Sequence, residues 1–140
     1  MFTTATSRKL KVEDTMPAKE APRRRVRSVL VERRGERAIE LCESLIDIVA
    51  ALFNVPGKEL RRTGRTNLDV ARVRQIAMYV AHVVLRLPMH DIGRGFGRDR
   101  TTVMYACHTI EDMRDMEEFD LIVAMVERVV LAAFRDRLGL

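Results

Sequence analysis

The chain has 140 residues, 47 % of them hydrophobic and 32 % charged, with no Trp, 5 % aromatics and a formal net charge of +5. This suffices for one domain with a helical core of Leu, Val, Ile, Ala and Met plus a tail, and it excludes global disorder. No apolar run is long enough to span a bilayer and no secretory signal opens the chain, so a cytoplasmic protein without a membrane partner is expected.

Positive charge is unevenly placed. Residues 1–37 carry a net +6 and residues 58–100 another +6, whereas residues 38–57 carry −3 and residues 101–140 carry −4. Two basic blocks around acidic ones are what a surface facing a polyanion requires, although a solubilising surface has the same composition. Cys42 and Cys107 lie 65 positions apart inside helical patterns and read as two buried thiols rather than a disulfide.

In chain order, residues 1–30 show no sustained period and contain Pro17, Pro22 and the cluster Arg23-Arg24-Arg25-Val26-Arg27. Residues 1–37 are therefore read as a flexible basic arm, which either adds sequence-independent DNA affinity or is a solvated tail. Residues 38–140 are read as the folded domain. Its first helix, from about Arg37 to Phe53, shows Ile39, Cys42, Leu45, Ile46, Ile48, Val49 and Leu52 at helical spacing and is stopped by Asn54 to Gly57. Lys58 to Arg62 form a further short turn, followed by the basic, glycine-containing loop Thr63–Asn67.

Asp69 is the expected N-cap of a helix from Val70 to about Leu87, with Val70, Val73, Ala77, Val80 and Val84 as its stripe. Arg72, Arg74, Gln75, His82 and Arg86 lie off that stripe. Pro88 opens a short helix, Met89–Gly95, and Gly97 permits a tight turn. Asp99 is expected to cap the next helix, Arg100 to about Met113, with Val103, Cys107 and Ile110 inward and Thr101, Met104, Tyr105 and His108 outward. Asp120 is the expected cap of a last helix reaching about Leu138, on the stripe Val123, Val126, Val130 and Phe134. No strand-like alternation competes, so the fold class is all-α, with about five or six helices.

The segment Ile92–Ile110 is a short helix, a glycine turn and a second helix opening on polar residues. Arg100, Thr101 and Thr102 fall in the first turn of that second helix, where side chains can enter a major groove. Arginine suits a bidentate contact with guanine, and threonine offers a hydroxyl and a methyl group. Asp99 could accept from a cytosine amine, though capping is the more economical account. Arg61, Arg62 and Arg65 lie around a glycine loop that could enter a narrow minor groove or remain solvated.

Other motifs carry no chemistry. His90-Asp91-Ile92-Gly93 spells the tetrapeptide of metal-dependent HD phosphohydrolases, but the remaining His82 and His108 are not spaced as a ligand set. The Gly93, Gly95 and Gly97 run follows no strand, and there is no GxxxxGK[ST] phosphate loop. No metal, cofactor, nucleotide or enzymatic activity is expected.

Val70-Ala-Arg-Val-Arg-Gln75, Leu87-Pro88, Ile92-Gly93, Phe96-Gly97, Arg98-Asp99, Thr101-Thr102-Val103 and Ala106-Cys107 together resemble the DNA-binding domain of the bacterial replication initiator DnaA over roughly residues 38–138. The resemblance implies a Trp-repressor-like helix-turn-helix bundle that binds double-stranded, AT-rich DnaA-box sites. It further implies base contacts by Asp99, Arg100 and Thr101 in the major groove and by Arg65, or else Arg62, in the minor groove. Backbone contacts are implied for Arg62, Arg74, Gln75, His82, Pro88 and Thr102. Arg100 departs from the histidine usual in the family, which points to an altered target containing a guanine. Only 37 residues precede the matched region, so the ATPase module of the initiator is not expected here.

The function expected is sequence-specific DNA binding on the bacterial nucleoid, regulating replication initiation or transcription without ATPase activity. The alternatives are a transcription factor with a divergent operator, or an adaptor protein whose DNA contact is secondary to a protein partner held by the acidic C-terminal region.

Overall fold

The computed structural model describes residue 29, residues 32–64 and residues 66–138. The basic arm expected over residues 1–37 falls mostly outside them, as does Arg65. The chain divides into two units, Met1–Glu36 and Arg37–Leu140; the core described below is that of the second.

Among the described residues there are six helices and no strand. These are α1 (residues 32–53), α2 (Gly57–Arg61), α3 (Leu68–Val83), α4 (Met89–Phe96), α5 (Arg100–Met113) and α6 (Glu117–Phe134). The all-α reading is correct, and α5 has the bounds expected from the sequence. Helix α1 begins by residue 32, earlier than the apolar stripe indicated.

The core is one continuous cluster. Cys42, Leu45, Ile46 and Val49 of α1 meet Leu60 of α2, Ile76, Ala77 and Val80 of α3, and Ile92 and Phe96 of α4. Val103 and Ile110 of α5 and Val123, Val126, Val130 and Phe134 of α6 complete it. Helix α3 packs on α2, α4, α5 and α6, more extensively on α5 than on the other three. Each fully buried aliphatic side chain contributes roughly 1.5–3 kcal/mol relative to exposure, so most of each stripe read from the sequence is also where the stabilisation lies; Leu52, read as part of the α1 stripe, is instead 37 % exposed. Cys42 and Cys107 are both free and buried.

Two N-caps and one helix end differ from expectation. Asn67, not Asp69, caps α3: its Oδ1 accepts from the Asp69 N–H at 2.9 Å, and α3 starts at Leu68. Asp69 sits instead in the first turn, where its charge favours the positive end of the helix. Helix α6 starts after Met116, so Asp120 lies inside its first turn and accepts from Arg114 Nε. The last helix also ends at Phe134, before the expected Leu138.

Helix α3 stops at Val83 rather than Leu87 because the chain folds back on itself. Arg86 adopts φ 56°, and the Leu87 N–H returns to the Ala81 carbonyl at 3.2 Å. Pro88 follows, which disfavours a helical residue before it.

Candidate nucleic-acid interface

The turn between α4 and α5 sets the geometry. Gly97 adopts φ 64° and ψ 37°, a left-handed conformation natural to glycine, and closes α4. The Arg98 N–H then donates to the Gly93 carbonyl at 2.8 Å. Gly93 is buried, and a Cβ there would stand 2.6 Å from the Arg98 carbonyl oxygen and 3.5 Å from the Arg100 nitrogen. The α4 backbone thus lies directly against the start of α5, leaving room for no larger residue.

Asp99 occupies the N-cap position of α5 but makes no side-chain cap hydrogen bond. Position and role therefore separate: the residue precedes the helix as expected, while its carboxylate does not close the helix end. Asp99, Arg100, Thr101 and Thr102 are all exposed. Of the outward residues of α5, Tyr105 is 68 % exposed, the most open aromatic position on that helix.

Gln75 of α3 is half-buried, and its Oε1 accepts from Arg72 Nη1 at 2.8 Å. Arg74, Gln75, Arg98, Thr102 and Tyr105 line a small cleft of about 90 Å³ between α3 and α5. Four members of the expected site, Asp99 to Thr102, thus share the start of α5, and Gln75 adjoins Thr102 across this cleft.

Arg74, off the core stripe in sequence and implied by the resemblance to contact or line the phosphate backbone, is only 5 % exposed. Its Nε donates to the Leu60 carbonyl at 2.9 Å, Nη2 to the Glu59 carbonyl at 2.9 Å, and Nη1 to Thr66 Oγ1 at 3.3 Å. The last carbonyls of the short helix α2 have no helical partner, and a planar five-donor group satisfies two of them at once. Burial, followed by the neighbouring Arg98 charge, lowers the Arg74 pKa, against a smaller opposing effect of Glu59. Arg74 holds the basic loop in place from beneath.

Arg98 secures the same loop from the other side. Its Nη2 donates to the Arg62 carbonyl at 2.6 Å, while its Nε is buried without a partner among the described residues. Arg98 has no site role in the sequence reading; its position in the turn just before α5 is the available signal. Arg62 itself is exposed, with one long ion pair to Glu59 at 3.7 Å.

Arg61 lies in a helix and not in the basic loop. It belongs to α2 and bonds Glu43 and Asp47 of α1, with Arg61 Nε–Glu43 Oε2 at 2.9 Å and Arg61 Nη2–Asp47 Oδ1 at 3.0 Å. His82 is half-buried, with Nδ1 3.1 Å from the Leu87 carbonyl oxygen. That pairing requires the proton on Nδ1 and ties the end of α3 to the linker before Pro88. Pro88 is exposed at the start of α4.

Comparison with known proteins places these elements. The family described as "Bacterial dnaA protein helix-turn-helix" matches residues 42–110. The chain is 41 % identical over 69 residues to Chromosomal replication initiator protein DnaA 2 of Chlamydia muridarum, covering 49 % of this chain and 15 % of that protein. It is 36 % identical over 88 residues to Chromosomal replication initiator protein DnaA of Mycobacteroides abscessus, covering 61 % of this chain and 18 % of that protein. The chain thus spans less than a fifth of the length of these relatives.

Among solved structures, a crystal structure of a DNA replication initiation factor superposes with a TM-score of 0.65 at 25 % identity, covering 74 % of this chain and 32 % of the other. A replication initiator DnaA bound to AMPPCP and single-stranded DNA gives a TM-score of 0.62 at 24 % identity, a likeness of fold, covering 73 % of this chain and 31 % of the other. The match begins at Cys42 in α1 and ends at Ile110 in α5, so it includes the α4–turn–α5 unit and the loop that Arg74 and Arg98 support. Residues 42–110 carry the helix-turn-helix domain of the bacterial DnaA family.

Proposed function

We propose that this protein binds double-stranded DNA sequence-specifically, at DnaA-box-like sites, and regulates replication initiation or transcription on the bacterial nucleoid. The observation that carries the reading is the open start of α5. Asp99 does not cap it, and Arg100, Thr101 and Thr102 stand exposed on it. Free N–H groups at a helix start favour phosphate, and the first side chains of a recognition helix reach base edges.

In this reading Asp99, Arg100 and Thr101 read bases in the major groove. Thr102, Gln75, His82, Pro88 and Arg74 contact or line the backbone, and His82 also ties the end of α3 to the linker before Pro88. Arg62 and Arg65 lead the basic loop into the minor groove, with Arg65 outside the described residues. Arg74 and Arg98 set the height of that loop without touching a base. No step needs nucleotide hydrolysis or a cofactor.

A second reading, a transcription factor with its own operator, is favoured by Arg100. Its guanidinium fits guanine O6 and N7 bidentately, so the preferred site would contain a guanine opposite it. Selection of bound duplexes from a random pool tests both readings. An AT-rich DnaA-box-like consensus supports the first and a divergent one the second. Recovery of no consensus at moderate salt refutes sequence-specific binding. Arg100→Ala should relax one base-pair position, at about 1–3 kcal/mol of discrimination. Equal loss on all sequences would show that Arg100 reads no base.

A further inference from the structure

Helix α6 has two apolar faces. Val123, Val126, Val130 and Phe134 enter the core at 0–2 % exposure. On the opposite side Leu121 is 64 %, Ile122 42 % and Val129 36 % exposed, with Met125 between them half-buried. These four follow the 3-4 spacing of a helix-pairing seam. A single exposed leucine needs no explanation, but an aligned stripe of this length marks an interaction surface.

We propose that this outer face of α6 is a self-association surface, on which two copies of the chain pair antiparallel about Met125. Charge selects the occupant and its direction. The first turn of α6 carries the exposed pair Glu117 and Glu118, and the exposed arginines Arg128 and Arg135 lie toward its other end. Antiparallel pairing centred on Met125 sets Leu121 against Val129 of the second copy. It also places Glu118 between the second copy's Arg128 and Arg135.

Parallel pairing would stack each acidic pair on its own equivalent and each arginine likewise, which is destabilising. Opposed helix dipoles favour the antiparallel arrangement as well. A two-fold, self-complementary patch is the commonest way for identical chains to associate. The seam contains no residue of α5, so pairing leaves the proposed DNA face free. The inference does not depend on DNA binding.

Sedimentation equilibrium of the full chain without DNA tests it. A concentration-dependent dimer is expected, with Leu121→Asp raising the dissociation constant roughly 30-fold or more. Glu118→Arg alone should weaken the dimer, and adding Arg128→Glu and Arg135→Glu should restore it. These side chains are exposed, so circular dichroism should show unchanged folding.

Direction is read by oxidative cross-linking. Leu121→Cys together with Val129→Cys should link two copies, and Leu121→Cys alone should not. In the antiparallel pair its own equivalent is eight residues, about 12 Å, along the axis. Three outcomes overturn the proposal: a monomer at all concentrations, whether or not another segment of the chain covers the seam; a dimer indifferent to Leu121→Asp; and cross-linking through Leu121→Cys alone.

Discussion

Replacing Gly93 with alanine should damage both stability and recognition, and the size of the effect follows from the turn geometry. The new Cβ would lie 2.6 Å from the Arg98 carbonyl oxygen, a backbone atom with no rotamer to change. Real contacts of this kind stay beyond 3.0 Å, so the segment leading into α5 must move by several tenths of an ångström. Overpacking of this sort costs about 1–3 kcal/mol. Weakening the bond from the Arg98 N–H to the Gly93 carbonyl adds about 1 kcal/mol, and the better helix propensity of alanine returns a similar amount.

The net loss is therefore about 1–3 kcal/mol, or a fall in Tm of roughly 5–15 °C for a domain of this size. Thermal denaturation followed by circular dichroism measures it. Fluorescence anisotropy with the selected duplex, well below the new Tm, measures recognition separately. Specific binding should fall while binding to random duplex changes little, because displacement of α5 disturbs base contacts more than charge. Gly95→Ala is the control. Its Cβ would meet the Cys42 side chain at 2.6 Å, on the α1 side of α4, so it should lower Tm without altering base preference. Unchanged stability and unchanged specificity in Gly93→Ala would refute the argument that the Gly93 contact fixes α5.

Asp99→Ala separates capping from recognition: with no cap bond to lose it should cost under about 0.5 kcal/mol, against ~1 kcal/mol for a working cap. A consensus selected with this variant should nevertheless differ at one position, and an identical consensus would remove Asp99 from the base contacts. Cys42 makes stability depend on alkaline pH. Burial, then Glu43 and Asp91, pushes its thiol from 9.0 up to about 12, so between those values the unfolded chain releases a proton that the folded chain retains. Stability is thus intact below pH 9 and declines as pH rises toward 12, by about 1 kcal/mol at pH 10. Urea denaturation at both pH values should show Cys42→Ala losing less than the parent between them, and an equal loss would exclude the thiol. Arg114 joins Tyr79 of α3 to Asp120 and Glu127 of α6, with bonds of 3.2, 2.6 and 2.7 Å. Arg114→Met should cost about 1–3 kcal/mol in chemical denaturation, with DNA affinity unchanged once the protein is folded; no change in stability would mean that solvent screens the cluster completely.

The helices were legible from residue order because their signal is local. Val73, Ala77 and Val80, or Val123, Val126, Val130 and Phe134, recur at the helical period, and all are buried. The α4–turn–α5 unit was legible for the same reason: Pro88 and Gly97 act on their own backbone. Caps were less so. Asn67 and Asp69 are both good cap residues two positions apart, and backbone geometry alone chose the first.

What only the tertiary structure decided was which charges remain available. Arg61, Arg74, Arg98 and Arg114 look alike in sequence to Arg62 and Arg100, yet the first four bond carboxylates or carbonyls contributed by other elements. A guanidinium is directed by whichever acceptors the fold brings within reach, and those acceptors lie 6 to 36 residues away along the chain. Hydrophobic period thus locates α5 from sequence, while long-range pairing decides which arginines are engaged within the fold.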